Sequence, residues 1–146
     1  IYMLQESNYG IISFQMSGKI GPGNLERENV WTNSEIFKYL NVPINGEFGN
    51  SGQYLGGILV MKKNQHLLKI INLLIKALYD DPLMFTDHYT QNQHPQFKEN
   101  RHEQSLFSLL RKIHGSIILD GDESFIVPFG GQESMKYPFW ASRIKG

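Results

Sequence analysis

A continuous apolar run, Tyr54 to Met61, is followed within three residues by an apolar helical period. Tyr-Leu-Gly-Gly-Ile-Leu-Val-Met does not alternate, so it reads as a strand buried on both faces. Asn64 then stands at an N-cap position, and Leu67, Leu68, Ile71, Leu74, Ile75 and Leu78 recur at helical spacing to about Tyr79. Asp80-Asp81-Pro82 stops that helix. A buried strand joined so closely to an amphipathic helix predicts a layered α/β arrangement, with the strand central and the helix packed across it.

The alternation recurs along the chain. Gly10 to Met16 reads as a strand, and Gly18 to Gly23, with three glycines and Pro22, reads as a loop. Thr32 opens a short helix with Glu35 in the capping-box position and Ile36, Phe37 and Leu40 on one face; Pro43 ends it. Asn45 to Gly52 is polar and glycine-rich. Asp87 to Asn100 is polar without a clear period and is expected to be a loop more mobile than its flanking helices. Asn100 caps a further helix with Glu103 in the capping-box position and Leu106, Phe107, Leu110 and Ile113 as its buried face. Arg111, Lys112 and His114 occupy its last turn, where the helix dipole favours cations, and Gly115 closes it. Ser116 to Leu119 is a strand. The expected class is α/β, a mixed sheet with flanking helices. Three clear strands are few for a self-sufficient sheet.

The 146 residues have the length of one domain and contain no internal repeat. Fourteen Lys+Arg balance fourteen Asp+Glu, which argues against a nucleic-acid binder acting through bulk charge. Forty per cent hydrophobic residues, twelve per cent of the chain being aromatic, suffice to build a core. The absence of cysteine excludes disulfides, thiolate metal sites and a Cys nucleophile, and fits a reducing compartment. The most apolar stretch, Leu67 to Tyr79, is broken by Lys69, Asn72 and Lys76, and is shorter than the roughly twenty residues a bilayer needs. No signal peptide is visible, and a start at Ile1 suggests processing or numbering that begins inside a longer protein.

Four constellations bear on chemistry. Gly56 and Gly57 allow close approach of a ligand to the backbone, or alternatively mark a bulge; they do not match a phosphate-binding loop. His88, His94 and His102 carry imidazoles, but their spacing fits no usual zinc pattern, and an exposed loop over an active site is the better reading. Asp120-Gly121-Asp122-Glu123 could hold a divalent cation at a strand end or form an acidic turn. Glu103, in the first turn of its helix, could accept a proton, complete the cap with Asn100, or do both. A weaker reading is a metal-dependent hydrolase using His88, His94 and Asp122.

Two segments carry a resemblance. Gln53-Tyr54-Leu55-Gly56-Gly57-Ile58-Leu59-Val60 and Arg101-His102-Glu103-Gln104-Ser105-Leu106-Phe107-Ser108-Leu109-Leu110 together resemble bacterial and viral nucleotide-sugar glycosyltransferases of GT-A type. Trp31-Thr32 and the tail Tyr137 to Ile144 are also similar to that group, so the resemblance runs from about Gly10 to Ile144. Glu103 stands where the group usually has Asp, and the order of Arg101 and His102 is reversed or shifted by one.

The resemblance implies a partial GT-A-like (nucleotide-diphospho-sugar transferase) sandwich. In it, 1–146 forms a single domain, the C-terminal, acceptor-side part of a larger enzyme. It implies transfer of a sugar from a nucleotide sugar to a glycan hydroxyl, in polysaccharide or other glycan biosynthesis. Glu103 would be catalytic, and Gln53, Gly56, Gly57, His102, Gln104 and Arg143 (with Lys145 beside it) would bind donor or acceptor. A divalent metal, Mn or Mg, would be held mainly by residues outside this chain, which makes Asp120-Gly121-Asp122 an acidic turn rather than a metal motif. No nucleic-acid partner and no membrane-spanning segment are expected. The expected place is cytoplasmic, or virion-associated. The alternative is a non-catalytic structural or carbohydrate-binding module within a larger assembly such as a viral particle, its aromatics serving an interface.

Overall fold

The computed structural model describes residues 2–16 and 26–120, together with 131, 132 and 135. β1 (Ile11–Gln15) is the middle of a three-stranded mixed sheet. It pairs antiparallel with β2 (Val60–Met61), Ile11 opposite Met61 and Ile12 opposite Val60. It pairs parallel with β3 (Ile117–Asp120), from Ile12 opposite Ile117 to Gln15 opposite Asp120. The helices are α1 (Tyr2–Glu6), α2 (Glu28–Trp31), α3 (Ser34–Tyr39), α4 (Glu47–Asn50), α5 (Gln65–Asp80) and α6 (His102–His114), with a 3-10 turn at Pro82–Phe85. The architecture is α/β with helices against a small mixed sheet.

Alternation along β1 divides the core in two. Ile11 joins Ile36, Phe37, Leu67, Ile70, Leu106 and Leu109 in the helical cluster. Ile12 and Phe14 face the other way, with Leu4, Leu55, Ile58 and Ile117. The expectation that Tyr54 to Met61 is the central strand is therefore corrected: β1 is central, and Leu59 and Met61 are exposed. The cause is Gly56-Gly57. Gln15 bridges to Tyr54, and Ile12 pairs with Val60. Between those points β1 advances three residues and its partner six, so the glycine stretch bulges out of the ladder.

α5 forms where the sequence places it, with Asn64 Oδ1 accepting from Leu67 N at 2.9 Å. Its buried face differs from the expected one. Leu67, Ile70 and Ala77 are buried, while Leu68, Ile75 and Leu78 are exposed. Two of the expected caps are also corrected. Asn33, not Thr32, caps α3, its Oδ1 accepting from Ile36 N at 2.9 Å. α6 begins after Arg101 without a side-chain cap, so the capping box of Asn100 and Glu103 does not form. Asn100 is buried and instead ties three segments together: its Nδ2 donates to the Met84 and Thr86 carbonyls, and its Oδ1 accepts from Asn33 N. Ile113, expected in the buried face of α6, is 37% exposed.

Gly115 ends α6 as expected, and two facts require glycine there. Its φ is 89°, and a Cβ would lie 2.5 Å from the Tyr9 ring. Among the described residues no helix is long and apolar enough to cross a membrane. The Gly18–Gly23 loop and the tail from Tyr137 lie outside the described residues.

Candidate functional site

The first two turns of α6 meet the glycine bulge over a buried polar network centred on Glu28, which is fully buried in α2. Its Oε1 accepts from Ser108 and lies 3.5 Å from Lys112 Nζ. Its Oε2 accepts from Thr32 Oγ1 at 3.1 Å and Gln53 Nε2 at 3.2 Å. Burial pushes the Glu28 carboxyl up, and Lys112 with the Ser108, Gln53 and Thr32 donors pulls it back. Burial likewise pushes Lys112 down against the pull of Glu28. Ser105, Ser108 and Lys112, spaced three and four apart, form one polar stripe inside an otherwise apolar helix face.

Arg111 is also fully buried. Its guanidinium donates to the Phe107, Tyr54 and Leu55 carbonyls and to Ser13 Oγ, and lies 4.6 Å from the Phe107 ring centroid. Burial pushes it down to about 10, with Glu28 and Tyr54 opposing, so it stays charged at neutral pH. Arg111 and Lys112 lie in the last turn of α6 as expected, but their side chains are buried. Both point into the network and clamp α6 to the Ser51–Leu55 segment, Lys112 donating to Ser51 Oγ at 2.6 Å and the Gly52 carbonyl at 2.7 Å.

Gln53 connects this interior to the surface. It is fully buried, so it does not itself meet a ligand. Its Nε2 lies 3.1 Å from Thr32 Oγ1 and 3.3 Å from the Trp31 carbonyl, and its Oε1 accepts from Gln104 Nε2 at 2.8 Å. Gln104 is half-buried and packs on Gly56, where a Cβ would stand 2.8 Å from Gln104 Oε1. Gly57 is exposed, and a Cβ there would meet nothing within 4 Å. Neither packing nor a positive φ explains glycine at 57.

Glu103 lies exposed in the first turn of α6, beside Gln104. His102 precedes it with φ 48°, a strained conformation for a non-glycine residue, and its Nε2 lies 2.9 Å from Asp87 Oδ1. Trp31 stands nearby, its ring 4.0 Å from the Arg101 guanidinium, and its carbonyl accepts from Arg101 N at 3.1 Å and Ser105 Oγ at 2.7 Å. Thus the structure brings Gln53, Gly56 and Gln104 into contact, while Glu103 and His102 precede Gln104 on α6, His102 pairing with Asp87. Arg143 and Lys145 lie outside the described residues, as do Gly121, Asp122 and Glu123.

The Asp87–Asn100 loop is irregular, as expected, and is tied at several points. Glu35 accepts from Thr90 N at 3.0 Å and Gln93 Nε2 at 2.9 Å, and Lys98 N donates to the Val30 carbonyl. Burial alone would raise Glu35, but these hydrogen bonds outweigh it and hold the carboxyl below its ordinary value. His88 is exposed, His94 Nδ1 accepts from Gln96 N, and His102 pairs with Asp87. Among the described residues, no three His, Asp or Glu side chains converge as a metal site.

Glu28, Trp31, Ser105, Ser108, Arg111 and Lys112 were not identified as a network from the sequence. The legible signal was the polar stripe in α6, two serines and a lysine at positions that a purely apolar face would fill. Glu28 carried none, because a four-residue helix has no period to read. Comparison of the chain with protein-family models, with curated proteins and with solved structures finds no match.

Proposed function

We propose that this chain is the C-terminal, acceptor-side part of a GT-A-type glycosyltransferase that moves a sugar from a nucleotide sugar to a glycan hydroxyl. One observation carries the reading. The two segments of the resemblance, 51 residues apart at Gln53 and Gln104, meet through a 2.8 Å hydrogen bond, with Gly56 against Gln104. That contact supports a shared site, in which Glu103 and His102 would act from the residues next to Gln104.

Sugar transfer needs an oriented acceptor hydroxyl, a group to take its proton, a neutralised leaving diphosphate and exclusion of water. Glu103 takes the proton or orients the hydroxyl. His102 and Gln104 hold the sugars, and Gly56 and Gly57 let the donor sugar lie on the backbone. Arg143 or Lys145 would neutralise the diphosphate. A divalent metal, Mn or Mg, held mainly by residues outside this chain, would neutralise the leaving group. Such an enzyme would work in the cytoplasm or be carried with a virion.

The test is a donor-hydrolysis and transfer screen of the full-length protein against nucleotide sugars, with and without Mn²⁺. Turnover of one donor, lost in Glu103→Gln, supports the reading; no turnover of any donor defeats it. A second reading, a non-catalytic module in a larger assembly, is favoured by the exposed apolar row Leu68, Ile75, Leu78 and Tyr79 on α5. Sedimentation distinguishes the two: a module of this kind associates through that row, and Leu78→Glu disperses it.

A further inference from the structure

We propose that Gln53 is a positioning residue, anchored by Glu28 and the Trp31 carbonyl, that locks Gln104 with its carbonyl oxygen outward beside Gly56, so that this surface takes a ligand hydroxyl as hydrogen-bond donor. The lock itself stands on geometry alone. Naming the ligand a sugar rests on the glycosyltransferase reading.

The argument is one of polarity. A backbone carbonyl only accepts, and so does an ionised carboxylate. Gln53 faces the Trp31 carbonyl at 3.3 Å and Glu28 Oε2 at 3.2 Å, so its NH₂ end must point there. The flipped amide would set oxygen against oxygen. Gln53 is fully buried, so no water would relieve that contact. The Trp31 carbonyl imposes this polarity whatever the protonation of Glu28.

With its NH₂ end committed, Gln53 turns Oε1 toward Gln104 and needs a donor there. Gln104 meets the need with its only donor end, Nε2, at 2.8 Å. Gln104 Oε1 is thereby turned to the Gly56 side, and the Cβ and Cγ of Gln104 pack where a side chain at 56 would stand. Among the described residues no protein donor reaches Gln104 Oε1 within hydrogen-bond distance. Glu103, exposed next door, adds a carboxylate that also accepts. Two neighbouring acceptors suit a polyhydroxylated ligand and disfavour one whose hydroxyls are methylated.

Gln104→Glu reads the lock directly. If Gln53 cannot turn, the introduced carboxyl faces an acceptor oxygen and must keep a proton to donate to it. Its titration, followed by ¹³C NMR, is then raised above the usual value of about 4.3. If Gln53 can turn, its NH₂ serves the new carboxylate, and titration at or below that value overturns the lock. Should that variant not fold, Gln53→Met is the second measure. Exchange of the Gln104 side-chain NH₂ with water should accelerate by up to about tenfold, the worth of one hydrogen bond; unchanged exchange overturns the lock. The ligand class is judged separately with methyl hexopyranosides and their O-methyl ethers as probes on the full chain. Wild type should bind a glycoside, bind its ether more weakly, and lose up to about tenfold in Gln53→Met. A wild type that binds none, while the titration is raised, overturns the hydroxyl ligand and the sugar reading and leaves the lock standing.

Discussion

Gln53 Oε1 accepts a hydrogen bond from Gln104 Nε2 at 2.8 Å, joining the end of a glycine bulge to the first turn of α6. Behind that bond lies a carboxylate with no exposure, and ahead of it a surface of small and polar groups. Stability and function thus meet in one chain of contacts, and the predictions separate them.

Glu103 has no capping role to lose, since Asn100 is committed elsewhere and the residue is exposed. Glu103→Gln should shift stability by no more than about 0.5 kcal/mol. As a general base it should lower transfer by about a hundred- to ten-thousand-fold. Thermal melting and transfer on the same sample decide. Full transfer removes Glu103 from the chemistry.

The adjacent glycines should behave differently. Gly57→Ala puts its methyl into open space and should leave stability unchanged or raise it by about 0.4 to 1 kcal/mol. If a sugar lies on that backbone, transfer should still fall. Gly56→Ala drives a Cβ to 2.8 Å from Gln104 Oε1 and 3.0 Å from Gln104 Cβ, so it should displace Gln104 and cost both stability and ligand binding. Equal melting of the two variants would count against the packing described for Gly56.

Lys112→Met leaves Glu28 buried without its cation. Breaking a buried pair on one side typically costs about 3 to 5 kcal/mol. The companion change Glu28→Gln, which keeps the shape and removes the charge, should recover part of that loss in the double variant. Urea unfolding of the four proteins measures the coupling, and strict additivity would show that the pair does not interact.

Glu35 anchors the loop that ends at Asn100. Its folded-state carboxyl titrates below its ordinary 4.5, so ionisation favours the folded arrangement. That contribution is present above pH 4.5 and is lost as the pH falls through the depressed value. The protection of the Thr90 amide, its exchange rate taken relative to the intrinsic rate at each pH, should therefore fall in acid, and Glu35→Gln should lower it at neutral pH. An amide insensitive to both changes would show that Glu35 does not hold the loop.

On α5, Ile70 has no exposure, whereas Ile75 is 46% exposed. Ile70→Ala should cost about 2 to 5 kcal/mol. Ile75→Ala should cost far less, unless a partner covers that face. A large loss at Ile75 that depends on protein concentration would reveal such a partner.

What could be read from the residues alone was local. The start of α5 is legible because the capping Asn64 Oδ1 reaches Leu67 N, only three residues on. Gly115 stops α6 through its own φ, and β1 announces itself by Ile11, Ile12 and Phe14 within five residues. Strand and helix in alternation specified the α/β class for the same reason. Tertiary structure decided what no neighbour in sequence could. α5 is apolar on most sides, with Leu67, Leu68, Ile70, Ile71, Leu73, Leu74, Ile75 and Leu78 all in sixteen residues, so its pattern admits several buried faces and α6 selected one. Asn100 and Glu103 satisfied the capping rule on paper, but two carbonyls at Met84 and Thr86 claimed the Asn100 amide. Among the described residues β1 alone has partners on both edges, so the centre of the sheet went to it, and Gly56-Gly57 bulged their own strand away from it. The network around Glu28 gathers residues from 28 to 112, and a buried charge is stable only where such distant donors are brought to it.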